Sequence, residues 1–136
     1  MSKKILIGNT FPLSLIRREV VINPIDLDWF KSWLKHAHCR DHQVASFWGH
    51  QNTLKVASDL LGVDLTPKTE RPALSLSPNN LINFEGEEYN IIYVLSPDYR
   101  PGFRPTIGVE VGPEDITGWT VLRVRFPRRV EHGKLV

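Results

Sequence analysis

Gly62 divides this chain into two textures, and the change between them limits the fold more than any other feature. Before it, β-branched runs alternate with stretches that repeat apolar residues at helical spacing. Lys4-Ile5-Leu6-Ile7, closed by Gly8-Asn9, and Glu19-Val20-Val21-Ile22, bounded by Asn23-Pro24, read as strands. Pro24 suits a first helical turn, and Ile25, Leu27, Trp29, Phe30, Trp33, Leu34 and Ala37 recur at helical spacing to about His38. Gln43 to Trp48 reads as another strand. Leu54, Ala57, Ser58 and Leu61 then share one helix face before Gly62, a suitable C-cap. After Gly62, Pro67, Pro72 and Pro78 punctuate short apolar pieces such as Ala73-Leu74-Ser75-Leu76, a pattern of strands and turns. Glu88 to Leu95 is nearly continuous in apolar residues, as a buried central strand would be. Trp119 to Phe126 sets Val121, Arg123 and Arg125 against Leu122, Val124 and Phe126, a strand with one face solvated or meeting an anion. The long proline- and glycine-bearing loop between them, Ser96 to Pro113, is of a length that often carries function. The expectation is one α/β domain over residues 1–126, a mixed β-sheet flanked by two main helices with a β-rich C-terminal half, and then a basic, fraying tail over residues 127–136.

Composition narrows the partners. With 17 Lys and Arg against 15 Asp and Glu, the net charge of +2 is too small for a non-specific duplex binder, although a local basic cleft is compatible with it. No apolar stretch approaches the ~20 residues of a membrane helix, and the N-terminal apolar run ends at Gly8, too early for a secretory signal, so no membrane partner and a cytoplasmic location are expected. Cys39 is the only cysteine, which excludes an internal disulfide and a cysteine-built zinc site and leaves a spectator thiol. His36, His38 and His42 are close in sequence, but residues two apart point to different helical faces, so they suit a helix C-terminus better than a metal. No metal and no cofactor are expected. Trp29 and Trp33 read as core, Asp26 and Asp28 as charges complementing a helix dipole, and Asp98 with Glu110 makes no convincing carboxylate pair.

The chemistry concentrates around "SFWGHQNTLKVASDLLG". A strand, then Gly49-His50, then a helix puts His50 at or just before a first helical turn. Unpaired amides and the positive dipole end there favour an anion such as phosphate. Asn52 or Thr53 can supply the N-cap oxygen, and a histidine beside a bound phosphate can protonate a leaving oxygen. The same pattern also serves a histidine that merely packs or caps a turn, and the pattern alone does not choose. Trp48 is a candidate for stacking a base. The loop after the first strand carries Asn9, Thr10 and Ser14 and ends in Arg17-Arg18; if the first and third strands are neighbours, Asn9 and His50 share one crevice.

"ILIGNTFPLSLI" resembles the first strand and turn, of the type L-x-N-A-F-S-L-N-M-L, of the viral type III anti-CRISPR ring nucleases and their bacterial relatives. "WGHQNTLKVASDLLG" is similar to their G-H-x-x-T segment and following helix, and "TERPALSL", "YNIIYVLS" and "GWTVLRVRF" follow in similar order. The resemblance covers most of the chain at low identity, and the two N-terminal motifs are its specific part. It implies an α/β homodimer that binds cyclic oligoadenylate, tetra-adenylate first among the rings, and cuts it without metal to switch off type III CRISPR signalling. A ribose 2′-oxygen attacks the adjacent phosphorus, and the motif histidine protonates the departing 5′-oxygen. By this match His50 is the general acid. Asn9, Asn52 and Thr53 hold phosphate or ribose, Gly49 belongs to the motif, and Thr10 and Ser14 are subsidiary contacts.

Two departures accompany the resemblance. The first-turn serine of the family is Pro12 here, without hydroxyl or N–H, and Asp98 stands where the later loop would carry arginine, so Arg100 or Arg104 would supply the charge from a shifted position. These departures keep two alternatives open: a non-catalytic binder that sequesters the ring, and a protein-interaction module on the same fold.

Overall fold

The computed structural model describes residues 4–37, 44–69 and 72–127. The expected features at His38, Cys39, His42 and Gln43, residues 70 and 71 of the TERPALSL segment, and the tail over residues 128–136 lie outside the described residues. Strands β1 (Ile5–Gly8), β2 (Val21–Ile25), β3 (Val44–Ser46), β7 (Ile91–Tyr99) and β8 (Ile116–Arg125) form a mixed five-stranded sheet in the order β2-β8-β7-β1-β3. β1 runs parallel to β3 and to β7, whereas β8 is antiparallel to both β7 and β2. Strands β4 (Ser75–Leu76), β5 (Ile82–Phe84) and β6 (Glu87–Tyr89) form a separate antiparallel sheet. Helices α1 (Leu27–Ala37) and α2 (Gln51–Leu61) complete the α/β fold.

Alternation along the strands sends side chains to opposite faces, and both faces are buried. Ile5, Ile7, Tyr93, Leu95 and Val121 pack with Phe30 and Leu34 of α1, Ala57 and Leu61 of α2, and Trp48. Leu6, Ile92, Val94 and Val124 face the other way and pack with Ile82, Phe84 and Tyr89 of the small sheet. Both helices therefore cover one face and the small sheet covers the other. Each fully buried large side chain among these, Phe30 or Leu95 for example, contributes roughly 1.5–3 kcal/mol.

Several expectations change at element ends. Pro24 sits inside β2, opposite Leu122, and not in a helical turn. β2 is the outermost strand, so a missing N–H is tolerated there. The helix begins after Asp26, whose Oδ2 accepts the Trp29 N–H at 2.9 Å; Asp26 is a hydrogen-bonding N-cap as well as a charge at the dipole end. Trp29 is not core. Phe30 and Leu34 centre the buried stripe of α1, and Trp29, about 100° away on the helix, is 48% exposed and stacks on half-buried Trp33 at 5.8 Å. The apolar run from Glu88 is shared between two sheets: Tyr89 pairs with Ile82, Ile91 pairs with Arg125, and Asn90 between them accepts the Phe126 N–H at 2.7 Å. Pro127, the first residue of the expected tail, is buried. Gly62 caps α2 as expected, at φ 71°, its N–H donating to the Ser58 carbonyl at 2.9 Å.

Candidate functional site

Because β7, β1 and β3 are parallel neighbours, with Ile7 opposite both Tyr93 and Ser46, their carboxyl ends open on one edge of the sheet. The chain leaving β1 and the chain leaving β3 are joined there. The Phe47 N–H donates to the Ile7 carbonyl at 2.9 Å, and the Gly49 N–H donates to Asn9 Oδ1 at 2.7 Å. Asn9 thus links the two loops, as expected from neighbouring first and third strands.

His50 is itself the N-cap of α2, in extended backbone, and its side chain makes no capping bond. Asn52 and Thr53 lie inside the helix and do not cap it. The His50 carbonyl is instead held from several sides. Trp48 Nε1 donates to it at 3.1 Å, Thr53 Oγ1 at 3.2 Å and the Thr53 N–H at 3.2 Å, while Trp48 Nε1 also donates to Thr53 Oγ1 at 3.1 Å. The backbone of His50 is therefore fixed while its imidazole is exposed. Trp48, 1% exposed, belongs to the core and cannot stack a ligand base: its indole is committed to bracing this turn, a role the strand-then-glycine pattern does not reveal. Thr53 is 2% exposed and directs its single hydroxyl proton to the His50 carbonyl, so it positions the histidine before it can donate to any ligand.

A cavity of about 260 Å3 collects Asn9, Thr10, His50 and Thr53 together with Ser96, Pro97 and Tyr99 of β7. His50 and Thr53 bring to it the start of an eleven-residue helix, where the dipole favours negative charge. Four of the sequence candidates meet here, and the rest do not line the cavity. Gly49 is exposed beside it, with its amide taken by Asn9. Asn52 is half-buried, and its carbonyl accepts the Val111 N–H at 2.7 Å. Ser14 is exposed in the 3₁₀ turn Leu13–Leu15. Arg104 is exposed, and Arg100 Nε lies 3.3 Å from Asp115 Oδ1, with its guanidinium 5.1 Å from the centre of the Phe103 ring. The loop turns Arg100 toward Asp115 and Phe103 and away from the cavity lining. Arg18 Nε and one terminal nitrogen have no partner among the described residues, and they too stand apart from this cavity.

Ser96, Pro97 and Tyr99 escaped the sequence reading because the apolar run ends at Leu95. β7 nevertheless continues to Tyr99, pairing only with β8 beyond the point where β1 stops, and this lets Pro97 sit in it without breaking a ladder on the other side. The loop is correspondingly confined to residues 100–115. Burial holds the Tyr99 phenol above its ordinary value, so it is a neutral hydrogen-bonding group at neutral pH.

A larger cavity, about 680 Å3, lies between the outer side of α2 and residues 110–119. Its rim carries Asp59, Glu110 and Glu114 against Lys55 alone, whose Nζ is bonded to Asp59 at 2.7 Å. That rim is unfavourable to a polyanion, and among the described residues no histidine lines it. His36 is exposed on α1, and among the described residues no three His, Cys, Asp or Glu side chains converge as a metal site would require.

The fold is similar to that of B116 of Sulfolobus turreted icosahedral virus (STIV), with a TM-score of 0.58 at 14% identity over 90% of this chain and 98% of that one. No family model matches the chain, and no curated protein does. No helix among the described residues is long and apolar enough to cross a membrane.

Proposed function

We propose that this chain is a metal-independent ring nuclease: a phosphodiesterase that opens cyclic oligoadenylate in the cytoplasm and so ends type III CRISPR signalling. The observation that carries this reading is the meeting of Asn9, Thr10, His50 and Thr53 in one cavity at the uncapped start of α2. A phosphodiester held at that helix start has an exposed imidazole beside it. The ribose 2′-oxygen attacks phosphorus, the bond to the 5′-oxygen breaks, and His50 gives that oxygen its proton while the 2′-hydroxyl proton passes to water. The products are a linear end with a free 5′-hydroxyl and a 2′,3′-cyclic phosphate. At about 260 Å3 the cavity falls below the roughly 300–1,000 Å3 of ordinary ligand pockets and takes one phosphodiester of a ring, not the whole ring. A two-fold ring is therefore shared by two copies of the chain, each addressing one phosphate.

The test is a cleavage assay on labelled cyclic tetra-adenylate with and without EDTA. Chelator leaves the rate unchanged, and His50→Ala lowers it by about 10²–10⁴-fold while binding persists. Full turnover in His50→Ala refutes the assigned acid. Light scattering that finds a monomer with ring bound refutes the shared site. A second reading, a non-catalytic binder of the ring, is favoured by the absence, among the described residues, of any arginine from the cavity lining and by the engagement of Arg100 with Asp115. Tight binding with no product over hours selects it.

A further inference from the structure

Tyr99 is an aromatic residue lining the cavity, and its position is built rather than incidental. It closes β7 opposite Ile116, directly after a register shift at Asp98, where Thr117 of β8 is left over and donates its hydroxyl to the Asp98 carbonyl at 3.0 Å. A bulge of this kind re-aims the side chain next to it. The ring of Tyr99 lies against that of Phe103, with centroids 5.2 Å apart and planes tilted by 38°, and Phe103 in turn carries the Arg100 guanidinium. The backing is itself fixed: Phe103 N–H donates to the Arg100 carbonyl at 3.0 Å, and Arg100 N–H donates to the Asp115 carbonyl at 2.9 Å. A half-buried ring, packed against a second ring and lining a cavity of about 260 Å3, matches the stacking platforms that bind nucleobases without reading their edges.

We propose that Tyr99 is the base-stacking and specificity-determining residue of this site, selecting ligands that carry a nucleobase beside the phosphate. The proposal rests on the reading of the cavity as a phosphodiester site, not on cleavage. Its neutral phenol adds no charge to repel the phosphate.

The experiment compares adenosine 5′-monophosphate with ribose 5-phosphate, which has the same sugar and phosphate without the base, by NMR titration of the full chain. Wild type binds the nucleotide about 5- to 150-fold more tightly than the sugar phosphate. Tyr99→Phe keeps that ratio, and Tyr99→Leu brings it toward one without weakening ribose 5-phosphate. A wild-type ratio of one, a Tyr99→Leu variant that retains the preference, or a Tyr99→Phe variant that loses it overturns the proposal. The wild-type ratio and Tyr99→Phe decide the matter even if Tyr99→Leu fails to fold. Ring cleavage alongside an unchanged ratio in Tyr99→Leu defeats the stacking role alone. A ratio lost in Tyr99→Leu, with no ring cleavage by wild type, defeats the catalytic reading alone.

Discussion

Thr53→Val tests whether the turn that carries His50 is held as described. The substitution keeps the shape of a side chain that is 2% exposed and removes its hydroxyl. Two hydrogen bonds disappear, one donated to the His50 carbonyl at 3.2 Å and one accepted from Trp48 Nε1 at 3.1 Å, while the indole keeps its bond to the His50 carbonyl. At about 1 kcal/mol net for each neutral bond, the loss is about 1–2 kcal/mol. For a domain of this size that lowers Tm by roughly 3–7 °C. Trp48→Phe removes the shared donor and some core volume, so it costs more. The decisive quantity is the double-mutant cycle: with the indole N–H gone, Thr53→Val has one bond less to lose, and the two changes couple by about 0.5–1.5 kcal/mol. Urea unfolding followed by far-UV circular dichroism measures it without relying on the fluorescence of the tryptophan being changed. Additivity within about 0.3 kcal/mol would refute the brace.

The chain has three tyrosines, and burial first of all raises Tyr89, Tyr93 and Tyr99 above the ordinary phenol value of 10.0. The folded state thus holds phenol protons that the unfolded state releases. Stability is full below about pH 10 and falls as pH rises through the folded values; tyrosinate absorbance that grows near pH 10 while circular dichroism is unchanged contradicts this. Gly8→Ala places a Cβ against the ring of Phe47, which is 5% exposed and backed by Phe84, so overpacking costs about 1–3 kcal/mol in chemical denaturation; an unchanged midpoint shows that the ring moves aside freely. Asn9→Asp keeps the acceptor for the Gly49 N–H but brings negative charge to the cavity. Its unfolding free energy stays within about 0.5 kcal/mol of wild type, while affinity for adenosine 5′-monophosphate drops at least about tenfold, a modest part of the repulsion between close charges. Equal affinity in Asn9→Asp places the phosphate elsewhere.

The sequence pattern reveals most where local signals agree. Helical spacing ending on Gly62 locates α2, and the glycine takes the left-handed conformation that its position demands. The same pattern puts His50 at the mouth of that helix, because strand, glycine and helix in succession leave little freedom between Phe47 and Gln51. Tertiary context overrides the local signal elsewhere. Pro24 looks like a helix start until β2 is known to be outermost, and the run from Glu88 looks like one strand because both sheets demand apolar residues on either side of Asn90. In sequence Trp48 looks like a ligand contact, since nothing in its neighbours announces that its indole N–H has two partners across a turn. Tyr99 is inconspicuous for the opposite reason: a strand that outlasts its apolar segment has no periodic mark, and the parallel pairing of β1 with β7 brings its end to His50.

The outer strands of the large sheet bear on how copies of this chain can meet. One edge is β2, interrupted by Pro24, and the other is β3, which offers three residues among the described ones. An interrupted or very short border gives a foreign strand little backbone to zip against, which is a natural guard against runaway polymerisation. Any association between copies would then rest on side chains and connecting segments rather than on strands added to these two borders.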